Sequence, residues 1–260
     1  RPGSSSKFST ILPTASWVID NSVFGVTGPV DGYRQNVSIT ASPGWKDDFK
    51  FQTMKIDARK YWRIGRDYTI ALRGFFGSSQ GKNAQKFYLG GTPYLLTDFQ
   101  SGSTNGVSDP SSYRSVIADT SNSNIITDVY FTEYAYPMRG ARFAERIGTY
   151  AALFNFEVRF PFINYLALGF PLKLVLGNIR GHAFMDIGAA WDNNNEFSNN
   201  SWPDKYGSNN LGNFSPWVVT TGLGAKINLG YFLLRIETAW DRNPGGYSKP
   251  QWYLSLGPDW

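Results

Sequence analysis

The 260-residue sequence has no cysteine and one histidine, His182. The first absence removes disulfides, thiolate catalysis and Cys-ligated metal together. A single histidine cannot build a His-rich metal site or a triad with a second histidine. Charge is scarce as well, at 17% of residues, where soluble domains carry roughly a quarter. The formal net charge is +5, yet Lys and Arg are scattered without a long run, a poor footprint for nucleic acid. No long apolar run suits a membrane helix. The nearest candidate, residues 160–179, contains Pro161, Pro171 and Lys173, which a spanning helix tolerates badly. Residues 1–6 do not read as a signal peptide; they suit a mature start, a cloning boundary or an internal cut.

Aromatics are abundant: nine Trp, fifteen Tyr and nineteen Phe. In a charge-poor chain, lipid and interfacial aromatic girdles are places for them to face. The chain also alternates apolar and polar residues, the pattern of a strand with two different surroundings. In residues 150–160, Tyr150, Ala152, Phe154, Phe156, Val158 and Phe160 share one face, and Asn155, Glu157 and Arg159 the other. Residues 179–191, 217–229, 232–240 and 252–260 repeat the pattern, as do 33–41, 54–59 and 68–73 less cleanly, and 8–20 adds a further strand. That makes about nine antiparallel strands, expected to be neighbours in chain order. Residues 101–128 and 192–215 are long polar loops, normal on the outer face of a membrane barrel. A soluble β-sandwich is the alternative, but its surface would carry more charge. Many polar-face residues are small or amide-bearing, which suits a wet lumen.

Several short motifs, in order, resemble one family. They are Phe87, Leu89, Gly90 and Gly91 (F-x-L-G-G); Pro137, Met138, Arg139 and Gly140 (a V-R-G-[FY] loop tip); and Asn155, Glu157, Arg159, Phe160 and Pro161 (N-x-E-x-R-F-P). Phe184, Asp186 and Gly188 (F-x-D-x-G), Gly222, Gly224 and Lys226 (S-x-G-x-G-x-R), and an end at Trp260 follow. The chain resembles the bacterial surface antigen superfamily, the C-terminal barrel of outer-membrane assembly factors and two-partner secretion transporters. Asp20, Asn21 and Ser22 with Thr27, Gly28 and Pro29 resemble a branch fused behind periplasmic propeller repeats. The resemblance implies an all-β fold: an antiparallel transmembrane β-barrel, here the C-terminal part of a sixteen-stranded one. Residues 1–260 would then form a single barrel domain, with 92–136 an insertion before the Arg-Gly loop tip; a smaller, degenerate barrel is the alternative.

The resemblance further implies a bacterial outer-membrane location and a role in outer-membrane protein assembly or polypeptide translocation. Partners would be outer-membrane lipid and lipopolysaccharide, a client polypeptide and accessory periplasmic proteins. In the family, the loop arginine folds into the lumen and pairs with acids, which maps to Arg139 and Gly140 against Glu157 and Asp186. Alternation independently places both acids on polar faces. Leu89, Gly90, Gly91 and Pro137 would shape the loop. Trp252, Leu254, Leu256 and Trp260 would form the closing strand. A passive pore or surface anchor is the alternative function. A hydrolase using Glu157 and Asp186 as acid and base is the third, with no nucleophile motif beside them; the chain is not expected to be an enzyme.

Overall fold

Strands dominate because alternating residues can satisfy two surroundings at once. The computed structural model describes residues 11–44, 50–92, 95–100, 133–141, 145–169, 174–192, 217–230, 232–243, 246–247 and 249–257, and among these there is no helix. The strands are β1 (Thr14–Asp20), β2 (Val23–Gly25), β3 (Gly28–Pro43), β4 (Lys50–Ile64), β5 (Tyr68–Gln80), β6 (Phe87–Leu89), β7 (Leu95–Gln100) and β8 (Glu133–Tyr136). They continue with β9 (Arg146–Gly148), β10 (Tyr150–Leu168), β11 (Leu174–Trp191), β12 (Trp217–Asn228), β13 (Leu233–Asn243), β14 (Gly246–Tyr247) and β15 (Gln251–Leu256).

The main sheet runs β1-β3-β4-β5-β10-β11-β12-β13-β15-β7, every pair antiparallel. Apart from β7, its order is chain order. A smaller sheet, β8-β6-β9, lies in the connection between β5 and β10. The main sheet is open, with β1 and β7 at its edges. Unpaired edges are not tolerated in hydrocarbon, so an open sheet of this kind fits one arc of a larger closed barrel.

Burial follows alternation. On β10, Ala151, Leu153, Asn155, Glu157 and Arg159 are buried, while the even-numbered residues between them are at least partly exposed. Phe154, Leu223 and Ile236 stand exposed on the opposite, apolar face. Strand β10 continues past Phe160, and its pairing with β11 shifts register between Pro161 and Ile163. Pro161 has no N–H to give the ladder, which is where a bulge is expected. Long connections, 101–132 and 193–216, leave one end of the sheet; short ones, 65–67 and 229–232, turn at the other. Short turns mark the periplasmic side of outer-membrane barrels. Tyr150 stacks on Trp191 at the loop end, with ring centroids 5.7 Å apart, and Trp62, Tyr68 and Tyr165 lie exposed toward the turn end. Aromatics at these two levels fit the girdles of an outer-membrane barrel.

The inner face differs from the expected wet lumen. Near the loop end it is apolar: Phe75, Phe87, Leu89, Met138, Ala151, Leu153, Ala190 and Val218 form one buried cluster. Phe87, Leu89, Met138 and Ala141, described residues of the connection between β5 and β10, pack inward against this part of the wall. The expected outer loops, 101–128 and all of 192–215 but Asp192, fall outside the described residues, as does most of 92–136, the stretch expected to be an insertion.

Candidate functional site

The inward-folded loop is held by its own backbone. Gly90 and Gly91 end β6 with φ of 117° and 95°, values that L side chains avoid. This bend lets Gly91 meet the loop tip directly. Its N–H donates to the Ala141 carbonyl at 3.2 Å, and its carbonyl accepts from the Met138 N–H at 3.0 Å. Leu89 and Met138 are fully buried against the wall. They fit because β11 carries Gly188 there: a Cβ at that position would sit 2.7 Å from Leu89 Cδ2 and 3.1 Å from Met138 Sδ. Gly140 is equally constrained, since its Cβ would lie 2.7 Å from the Ala239 Cβ.

Between these anchors, Arg139 reaches two carboxylates. Its Nε and Nη2 donate to Asp186 Oδ2 and Oδ1 at 3.1 and 3.0 Å, a bidentate fork. Its Nη1 donates to Glu157 Oε2 at 2.6 Å. Its backbone N–H also donates to Asp186 Oδ2, at 3.1 Å. The guanidinium carbon lies 3.7 Å from the Phe184 ring centroid, so one planar face is covered by an aromatic. Arg139 is 5% exposed, and both acids are fully buried.

The network extends along the wall. Glu157 Oε1 accepts from Arg159 Nε at 2.6 Å and from Lys226 Nζ at 2.5 Å. Arg159 Nη1 donates onward to the Pro29 carbonyl at 2.6 Å, tying β10 to the start of β3. His182 Nε2 and Glu237 Oε1 lie 2.9 Å apart, and Glu237 Oε1 is 3.6 Å from Arg139 Nη1. One loop arginine thus joins β10 and β11 and approaches β13. Buried charges survive only when paired and hydrogen-bonded in this way.

A family model for the Omp85 superfamily domain matches residues 3–260. The chain belongs to the Omp85 superfamily. No curated protein sequence matches it. Among solved structures it is similar to the crystal structure of BamA from Haemophilus ducreyi lacking POTRA domains 1-3. That match has a TM-score of 0.50 and 15% identity, and covers 94% of this chain and 42% of that one. It is a likeness of fold. The chain therefore spans less than half the length of that structure. Family and fold place it in the bacterial outer membrane as a β-barrel. Neither match bears on the propeller-fused branch.

In this Omp85 chain, the motif residues cluster at the loop tip and the wall against it: Leu89, Gly90, Gly91 and Pro137 on the inward-folded loop, Asp186 and Glu157 on the wall. Phe184 covers the guanidinium of Arg139, while the side chains of the sequence neighbours Tyr134, Tyr136 and Phe143 fall outside the described residues. The sequence alone does not mark Arg159, Lys226, His182 and Glu237 as site residues. All four lie on polar faces, but their partnership depends on cross-strand register. On β15, Trp252 is exposed and Leu254 and Leu256 half-buried, alternating with buried Tyr253 and Ser255. Trp260 falls outside the described residues.

Proposed function

We propose that this chain is the C-terminal arc of an Omp85 barrel that assembles or translocates polypeptides in the outer membrane, using the edge of β15 as the place where a client strand adds. The observation that carries this reading is what that edge already holds. Strand β7 pairs antiparallel with β15, Gln251 opposite Gln100, Trp252 opposite Phe99, Tyr253 opposite Asp98 and Leu254 opposite Thr97. The segment comes from a different part of the chain and docks by strand pairing at an edge. Main-chain pairing asks little of client sequence, as a general assembly edge requires.

In this reading the Arg139 network is a brace. It fixes the loop tip to β10 and β11, so the wall stays rigid while the β15 edge exchanges partners. Arg139, Gly140, Glu157 and Asp186 carry the brace; Leu89, Gly90, Gly91 and Pro137 shape it. No catalytic step and no cofactor are assigned to the charged cluster. Lipid and lipopolysaccharide would surround the outer face, and accessory periplasmic proteins would deliver the client. A lumen filled by its own loop counts against a passive pore.

The test is a photo-crosslinker at Gln251 in the full-length protein, in cells making other outer-membrane barrels. Adducts with their terminal strands are expected. A folded barrel that gives adducts only with its own 95–100 segment would refute the client edge.

A further inference from the structure

Among the described residues, the lipid-facing wall carries an ammonium with no acid against it. On β4, Ala58, Lys60 and Trp62 alternate with Asp57, Arg59 and Tyr61. Asp57 is held on the inner side by Arg59 and Arg73, at 2.9 and 2.7 Å. Lys60 therefore faces outward, opposite Tyr33 on β3 and Leu72 on β5. Its Nζ lies 5.6 Å from the Tyr33 ring centroid and 5.7 Å from that of Trp62. Among the described residues no carboxylate comes within ion-pair distance of it. Asp31, farther toward the turn, accepts instead from the Gly32 N–H at 2.8 Å.

Beside Lys60 the wall is dented. Register sets Gln35, Ala58, Gly74 and Phe154 in one row across four strands. The two small residues in the middle of that row floor a depression of about 360 Å³, walled by Leu72 and Phe154. A Cβ on Gly74 would meet nothing within 4 Å, so the space is open to the lipid side. Lys60 lies four residues before the end of β4 at the short-turn side. With a rise of roughly 3.3 Å per residue and the usual tilt, that is about 10 Å of depth. A lysine there reaches the headgroup layer by extending its chain along the wall.

We propose that Lys60, Tyr33 and the depression floored by Ala58 and Gly74 bind an anionic phospholipid of the periplasmic leaflet. The phosphate sits at Lys60 and one acyl chain lies in the depression. Three observations agree on this occupant. The cation has no counter-ion among the described residues, the adjoining surface is apolar and concave, and the depth matches the leaflet whose headgroups are phospholipid. A zwitterionic lipid fits less well, because its own ammonium competes for the phosphate.

The test exchanges the full-length protein in detergent against phosphatidylglycerol, phosphatidylcholine or inorganic phosphate, and counts retained molecules by native mass spectrometry. One phosphatidylglycerol should be retained in preference to phosphatidylcholine. Lys60→Gln should lower that retention about fivefold, the effect expected of one basic residue at an anionic surface. Lys60→Arg should preserve it. Gly74→Leu, which fills the depression and leaves the charge, should also weaken it. Equal retention by the native protein and Lys60→Gln would overturn the proposal. So would equal retention of the two lipids, or full displacement by inorganic phosphate, which would leave the depression without a role.

Discussion

Arg139→Ala is the perturbation that bears most directly on the brace. It removes three side-chain hydrogen bonds to two carboxylates that are both 0% exposed. The loss does not fall evenly. Glu157 retains Arg159 and Lys226 on its other oxygen. Asp186 retains the backbone N–H of residue 139 and loses its bidentate partner. Breaking a buried ion pair from one side costs about 3–5 kcal/mol. With Glu157 still doubly paired, the lower end, about 3 kcal/mol, is expected. Arg139→Lys should recover only part, because an ammonium cannot bridge Asp186 and Glu157 in one plane. A second change, Asp186→Leu, on the Arg139→Leu background should restore stability, since no unpaired charge then remains at that position. The assay is reversible urea unfolding of the full-length protein in lipid vesicles. A loss below about 1 kcal/mol for Arg139→Ala would give the pair the strength of an exposed one, and the picture of a dry, braced lumen would be wrong.

Other outcomes follow from the same geometry. Phe156→Arg, on the lipid face, should cost about 2–4 kcal/mol in that assay if the position is near mid-membrane; the inward Asn155 is not a cheap control, because it is 3% exposed. Gly188→Val should push Leu89 and Met138 off the wall and open residues 137–141 to added protease, while Gly169→Val, which meets nothing within 4 Å, should leave the loop protected. Protease added to intact cells should cut within 101–128 and leave the barrel folded; cutting only after the outer membrane is disrupted would invert the topology.

Much of the wall could be read from the chain because each strand sees two different solvents. In residues 150–160 that contrast writes itself as Phe-Asn-Phe-Glu-Val-Arg, and the structure buries Asn155, Glu157 and Arg159 while leaving Phe154 exposed. Approach of Arg139 to Asp186 and Glu157 is implied by the family resemblance, and alternation adds only that both acids face inward. Glu157 binding Lys226 could not be expected, because they meet only through the register of β10 on β11 and β11 on β12. Strands β6, β8 and β9 have three or four residues each, too few to show a period. Docking of β7 on β15 joins segments about 150 residues apart by strand pairing, which leaves no side-chain pattern to detect. The dry upper lumen escapes the sequence for a related reason: alternation tells which residues face inward, and not whether water or a folded loop awaits them.

The β15 edge is the central claim, and a reversible lock tests it most directly. The chain has no cysteine, so Phe99→Cys with Trp252→Cys introduces one pair, at positions that face each other across β7 and β15. In the full-length protein, oxidation should bridge the pair, and client assembly should stop. Reduction should restore it, with both single variants active throughout. Full client assembly with the bridge closed would show that clients do not use this edge.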